Sequence, residues 1–159
     1  MDTIIVDLDG TLANCDHRIH HIKTKPKNWK AFNAGYRLDT LIVPVFNVVC
    51  ALQKRHNIVL LTGREGSEQG KRDTLEWLNS NGIFHAREKD ATAKLFYHEF
   101  IMRESGDYRP DYEMKLDALT KLIENGYNPT IAFDDRKTVI KTFRAQGLYV
   151  FDCGQSLEE

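Results

Sequence analysis

The chain has 159 residues, of which 42% are hydrophobic and 28% charged; this is an ordinary balance for one compact core with at most a small insertion, and it excludes collagen-like and low-complexity architectures. A formal net charge of -1 removes any global electrostatic case for binding nucleic acid or an anionic membrane, so contact with a polyanion has to be local. The apolar runs Val45 to Leu52 and Ile58 to Leu61 are too short or interrupted to span a bilayer, the N-terminus lacks a signal-peptide pattern, and Cys15, Cys50 and Cys153 form no paired spacing, so a cytosolic protein with reduced thiols is expected.

Thr3-Ile4-Ile5-Val6 is a β-branched apolar run typical of a strand buried on both faces, and it runs into Asp7-Leu8-Asp9-Gly10-Thr11. The polar stretch from Ala13 to Arg37 reads as an insertion, with Asp16, His17, Arg18, His20, His21, Lys23, Lys25 and Lys27 interleaved with Trp29 and Phe32. From Leu38 to Arg55, Leu41, Val45, Val48, Val49 and Leu52 recur at helical spacing, with Asp39 or Thr40 as a cap and Pro44 near the first turn. Ile58 to Leu61 predicts a second buried strand ending in Thr62-Gly63-Arg64, followed by a helix capped by Ser67 and stopped at Gly82. The segment from Ile83 to Met102 mixes charges with aromatics and yields only a short strand at Phe100 to Met102. A helix capped by Asp111 and closed by Gly126 then precedes a strand, Thr130 to Phe133, that leads into Asp134-Asp135. Val139, Ile140 and Phe143 mark the last helix, and Leu148 to Phe151 the last strand.

Alternation of strands and helices at these lengths predicts an α/β class: a doubly wound, Rossmann-like, largely parallel sheet formed by one domain over residues 1–159, with a small cap insertion at about 13–37. Ligands of such sheets bind outside the carboxyl ends of the strands, where Asp7, Thr62 and Asp134 all fall. Asp7 and Asp9 stand two residues apart, a like-charge arrangement on one face of a regular strand that calls for a cation. A calcium loop of the EF-hand type is a poor fit, because the required further acidic ligands are missing.

Asp7-Leu8-Asp9-Gly10-Thr11 resembles the first motif of the haloacid dehalogenase phosphatases. The resemblance implies that Asp7 is a nucleophile forming an aspartyl-phosphate and that Asp9 is the general acid and base. Thr62 is similar to the hydroxyl residue of the second motif, Lys115 to the lysine of the third, and Asp134-Asp135 to the acidic fourth. A Mg2+ cofactor is therefore implied, held by Asp7, Asp134, Asp135 and, through its backbone carbonyl, Asp9. A narrower likeness lies in Leu61 to Glu65, Met102 to Arg109 and Phe133 to Arg136, which resemble the 3'-phosphatase domain of phage-type polynucleotide kinase/phosphatase. It implies that Thr11, Gly63, Arg64, Arg103 and Arg109 contact a phosphorylated nucleic-acid end.

No phosphate-binding kinase loop is present, since Gly70-Lys71 is followed by Arg72, and no kinase activity is expected. The histidines of the insertion lack a matched carboxylate or cysteine frame for a metal, and His56, His85 and His98 read as structural or exposed. The expected partner is a phosphorylated nucleic-acid end or a nucleotide, with no membrane and no obligate protein partner. Two rivals remain open at this point: a 5'-nucleotidase acting on free deoxynucleotides, and a non-enzymatic phosphate-binding module.

Overall fold

The structure is a computed structural model and describes residues 1–155. In chain order its elements are β1 (Thr3–Val6), β2 (Ala13–Asn14), α1 (Asp16–Lys23), α2 (Trp29–Ala34), a 3-10 turn (Tyr36–Leu38), β3 (Thr40–Leu41), α3 (Val43–Leu52), β4 (Asn57–Gly66), α4 (Glu68–Ser80), β5 (Ile83–His85), β6 (Leu95–Tyr97), β7 (Glu99–Glu104), α5 (Asp111–Glu124), β8 (Pro129–Asp134), α6 (Lys137–Ala145) and β9 (Tyr149–Asp152). Five strands form the central sheet in the order β7-β4-β1-β8-β9, and every neighbouring pair is parallel. The winding reverses beside β1, so the loops leaving β1 and β8 diverge and open a crevice at their carboxyl ends. No helix among the described residues is long and apolar enough to cross a membrane.

The period-2 alternation of β1 builds a core on each side of the sheet. Ile4 and Val6 pack with Phe46 and Val49 of α3 and Trp77 and Leu78 of α4. Ile5 faces the other way, toward Met114, Leu119 and Leu122 of α5 and Val139, Ile140 and Phe143 of α6. Each such side chain contributes about 1.5–3 kcal/mol relative to exposure, which makes the sheet a stiff platform for the loops above it.

Several predicted boundaries move. The helix expected from Leu38 starts at Val43, because Thr40–Leu41 pairs antiparallel with Ala13–Asn14 and closes the base of the insertion. Ile42 is its N-cap and makes no side-chain cap bond, so neither Asp39 nor Thr40 caps this helix. Ser67 does cap α4, its hydroxyl accepting from the Gly70 N–H at 3.1 Å. Asp111 is the first helical residue of α5, with Pro110 at the cap position. The poorly legible segment forms a separate two-stranded parallel sheet, β5 with β6, before β7 joins the main sheet. Strand β4 runs to Gly66, past its predicted end, with a register break between Thr62 and Glu65. Gly63 and Arg64 have no partner on β7 there, and this bulge turns Arg64 inward.

Candidate active site

Register places the acidic residues together. Val6 of β1 lies opposite Phe133 of β8, so the residues that follow them, Asp7 and Asp134, emerge side by side. Carboxylate oxygens of Asp7, Asp134 and Asp135 all lie within 4.8 Å of one another. Lys115 of α5 reaches in from beneath, donating to Asp7 Oδ1 at 2.9 Å and Asp134 Oδ2 at 2.7 Å, and is only 2% exposed. The Thr11 hydroxyl donates to Asp7 Oδ2 at 3.1 Å. Gly10 has a φ of +83°, and a Cβ built there meets Asp135 Oδ2 at 2.0 Å, so only glycine lets the loop close over that carboxylate.

The electrostatics of this floor are unbalanced, with three carboxylates around one ammonium. Burial and then the neighbouring Asp134 push the Asp7 carboxyl well above the usual carboxylate range, against the pull of Lys115. Burial and Asp134 raise Asp135 in the same way. Lys115 is held charged, because Asp7 and Asp134 outweigh the cost of burying it. A cluster of oxygen donors carrying excess negative charge is chemically suited to a hard divalent cation such as Mg2+.

Asp9 departs from its expected place. The strand ends at Val6, so period-2 alternation does not carry Asp9 onto the face of Asp7, and its carboxylate is not one of the three in the acidic cluster. Instead Asp9 Oδ1 accepts from Arg18 Nη2 at 2.9 Å, Arg64 Nε at 2.9 Å and Arg64 Nη2 at 2.6 Å. Burial opposes its charge, but the Arg64 and Arg18 guanidiniums outweigh it and hold the carboxyl below its ordinary value. Each of the two carboxylates thus has its own cationic partner, Lys115 for Asp7 and the arginine pair for Asp9.

The residues assigned to substrate separate into two groups. Thr62 lines the cleft with its Oγ1 accepting from the Arg64 N–H at 3.1 Å, which leaves the hydroxyl proton free to donate. Arg64 is 3% exposed, sandwiched near Tyr36 and Trp77, and spent on Asp9, Asp39 and Thr74. Arg103 holds the Gly63 carbonyl at 2.9 Å, the Asp107 and Arg109 carbonyls and the Asp111 carboxylate. Both line the cleft while engaged in these contacts, and so brace its wall. Gly63 packs against the Asp111 carboxylate, where a Cβ comes to 2.3 Å. Arg109 pairs with Asp107 and Asp117 at the rim and is half-exposed.

The cleft over this floor encloses about 710 Å³. Ile19, Trp29 and Phe32 of the insertion form one wall, and Tyr108 to Asp111 stand in the lining with Lys23 and Arg136. Trp29 is 51% exposed and Tyr108 91%. Cys15 also lines the cleft, but burial and then Asp9 push its thiol up to about 12, so it is no thiolate nucleophile. Sequence reasoning missed Asp39, read as a helix cap, and the pairing of Arg18, read only as one basic residue among many; no local pattern marks either, since their partners lie 9 to 25 residues away or more.

A parallel, doubly wound sheet with this acidic carboxyl edge is the haloacid dehalogenase type of phosphatase fold. The chain belongs to the family of the polynucleotide kinase PNKP phosphatase domain, which matches residues 1–156. Among solved structures it is similar to a chain of the Pnkp1/Rnl/Hen1 RNA repair complex, at 25% identity and a TM-score of 0.72 over 95% of this chain and 42% of that one. A second structure of the Pnkp1/Rnl/Hen1 complex gives 25% identity and 0.71 over 95% and 45%. The protein thus spans less than half the length of these relatives. A haloacid dehalogenase family enzyme of Bacteroides thetaiotaomicron, crystallised with magnesium, is 14% identical with a TM-score of 0.56 over 99% of this chain and 96% of that chain, a likeness of fold. No curated protein matches the chain.

Proposed function

We propose that this phosphatase domain is a Mg2+-dependent phosphomonoesterase that removes 3'-phosphates from nucleic-acid ends through an aspartyl-phosphate on Asp7. The observation that carries the reading is the floor itself: a carboxylate at the tip of β1, set by Lys115 and Thr11 beside Asp134 and Asp135, at the base of an open cleft. Asp7, Asp134 and the Asp9 carbonyl would hold magnesium, with Asp135 beside them; when bound, the ion supplies charge neutralisation to the phosphoryl oxygens.

Asp7 attacks phosphorus in line and the bond to the 3' oxygen breaks as Asp9 gives that oxygen a proton. Asp9 then takes a proton from water, whose oxygen attacks phosphorus and releases inorganic phosphate and Asp7. Lys115 and the Thr62 hydroxyl hold the charge that develops on the phosphoryl group. The lowered Asp9 carboxyl keeps the group ionised, which leaves it open to accept water's proton, though as a weaker base. The acid half of the cycle draws on the substrate, because a bound phosphate places negative charge nearby and raises Asp9 toward protonation.

A nucleic-acid end is favoured by the family match and by the mouth of the cleft, where Trp29 and Tyr108 offer faces for base stacking and Lys23 offers charge, with Arg109 and Arg136 exchanging their carboxylate partners Asp107, Asp117 and Asp111 for neighbouring phosphates. The test is phosphate release from a 3'-phosphorylated oligonucleotide, the matching 5'-phosphorylated one, and free 5'-deoxynucleotides. The 3'-phosphorylated oligonucleotide should give the highest kcat/KM, declining with added salt. Preference for the free nucleotides, with no salt dependence, would replace this substrate by the nucleotidase alternative.

A further inference from the structure

Asp39 lies where the insertion returns to the core, between the 3-10 turn and β3, and its carboxylate is fully buried. Oδ1 accepts from Arg18 Nε at 2.8 Å and meets His17 Nε2 at 2.7 Å. Oδ2 accepts from Arg18 Nη2 and Arg64 Nη2, both at 2.7 Å. These same two Nη2 groups donate to Asp9 Oδ1. The backbone of Asp39 is itself tied down, its carbonyl accepting the Trp77 indole N–H at 2.7 Å.

An arginine with a single carboxylate partner keeps rotamer freedom, whereas a planar guanidinium shared between two fixed carboxylates does not. Asp39 also balances charge: two guanidiniums facing Asp9 alone would leave a buried positive excess, and the second carboxylate cancels it. All the protein donors to Asp9 among the described residues fall on Oδ1. Its side chain is 26% exposed and lines the cleft. Oδ2 is therefore the oxygen left for proton transfer.

We propose that Asp39 is a positioning residue for proton transfer: through Arg18 and Arg64 it fixes the Asp9 carboxyl so that Oδ2 faces the leaving oxygen. The proposal rests on the phosphatase reading of Asp9. It has a consequence for the fold as well, since Arg18 belongs to α1 of the insertion and Arg64 to β4 of the core. The proton-transfer group is set only when the insertion is packed onto the sheet.

The experiment compares kcat/KM, which reports phosphoryl transfer to Asp7, for an alkyl phosphate and for p-nitrophenyl phosphate, whose leaving group departs without a proton. Asp39→Asn should lower the alkyl value about 10–100-fold, part of the ~10²–10⁴-fold that a general acid supplies, and the aryl value by less than about threefold. In an Asp9→Asn background the same substitution should cost the alkyl substrate nothing more, because the residue it acts through is gone. Equal losses on both substrates, or a full additional loss in the double variant, would make Asp39 merely structural. Should Asp39→Asn fail to fold, Arg18→Gln with Asp39→Asn restores the charge balance and should show the same selective loss; an unchanged alkyl-to-aryl ratio there overturns the proposal. Asp9→Asn alone separates the two layers. A selective loss there without one for Asp39→Asn removes only Asp39, while no selective loss removes the Asp9 reading together with the proposal built on it.

Discussion

Two charged clusters meet under one cleft, and they are built on opposite principles. Around Asp9 and Asp39, two carboxylates face two guanidiniums and the charges cancel. Around Asp7, three carboxylates face one ammonium and they do not. The balanced cluster is complete as folded and holds one side chain in place. The unbalanced one is complete only with a cation and an electrophile, so it is stabilised by what it binds rather than by the protein alone. On the proposed reading the same residue types hold the proton-transfer group in one place and take up metal and phosphoryl group in the other, with stoichiometry as the difference.

The sharpest break of this contrast is Asp7→Asn. It keeps the shape and removes the nucleophile, so phosphate release should fall to background, on the order of the 10⁶-fold seen when a catalytic nucleophile is deleted elsewhere. Residual turnover near the wild-type rate, measured with any aryl phosphate, would move the nucleophile away from the unbalanced cluster. Next in size is Asp9→Asn, which should lower kcat/KM for alkyl phosphates by ~10²–10⁴-fold and leave good leaving groups far less affected. Equal losses would show that the balanced cluster does no proton transfer.

Metal dependence sharpens the comparison further. Chelation by EDTA should silence the enzyme and Mg2+ restore it. Asp134, buried and touching Lys115, should matter more than the partly exposed Asp135. Asp134→Ala should raise the Mg2+ concentration for half-activity by more than about tenfold, and Asp135→Ala by less. Full activity in chelator would sink the cation reading of the unbalanced cluster. At the mouth the effect should be smaller still: Lys23 lines the cleft and Lys25 does not, so Lys23→Ala should raise KM for an oligonucleotide a few-fold and flatten its salt dependence, with Lys25→Ala as the neutral control.

The unbalanced cluster was the legible one. Asp7 and Asp134 are readable because each stands at the end of a buried apolar strand and register sets them side by side, whereas Thr11 and Lys115 were readable through the likeness to the phosphatase motifs. The balanced cluster was legible only in part. Arg64 could be picked out beside Thr62, but its partners Asp9 and Asp39 could not, because the bulge that turns it inward appears only once β4 and β7 are aligned. Asp39 carried no signal at all, since a carboxylate before an apolar periodic stretch reads as a cap until Arg18 and Arg64 arrive from elsewhere in the chain. The bracing of the Gly63 turn by Arg103 was not legible either, because it depends on Asp111, whose side chain faces it.

The smallest effect separates the clusters by sign. Asp7 and Asp9 both admit isosteric replacement by asparagine, yet the two should change stability in opposite directions when metal is absent. The Asp7 carboxyl is raised in the folded state by burial and by Asp134, so between its ordinary and its raised value the native protein binds more protons than the unfolded chain. Stability then falls as pH rises through that window, and the penalty is complete above it. Asparagine carries no such penalty, and Lys115 retains Asp134 at 2.7 Å. In EDTA, Asp7→Asn should therefore raise Tm, by about 2–4 °C for each kcal/mol gained in a chain of this size. Asp9 is the reverse case, its carboxyl lowered by Arg64 and Arg18 against the effect of burial. Its contribution is present above the ordinary carboxylate value and lost as pH falls through the lowered one, so Asp9→Asn should lower Tm at neutral pH, with the difference shrinking in acid. Adding Mg2+ should stabilise the wild type more than Asp7→Asn and reverse their order. Thermal melts of the three proteins, with and without Mg2+ and across pH, read all of this directly; a fall in Tm for Asp7→Asn in chelator as large as that for Asp9→Asn would mean that the two clusters do not differ in charge balance.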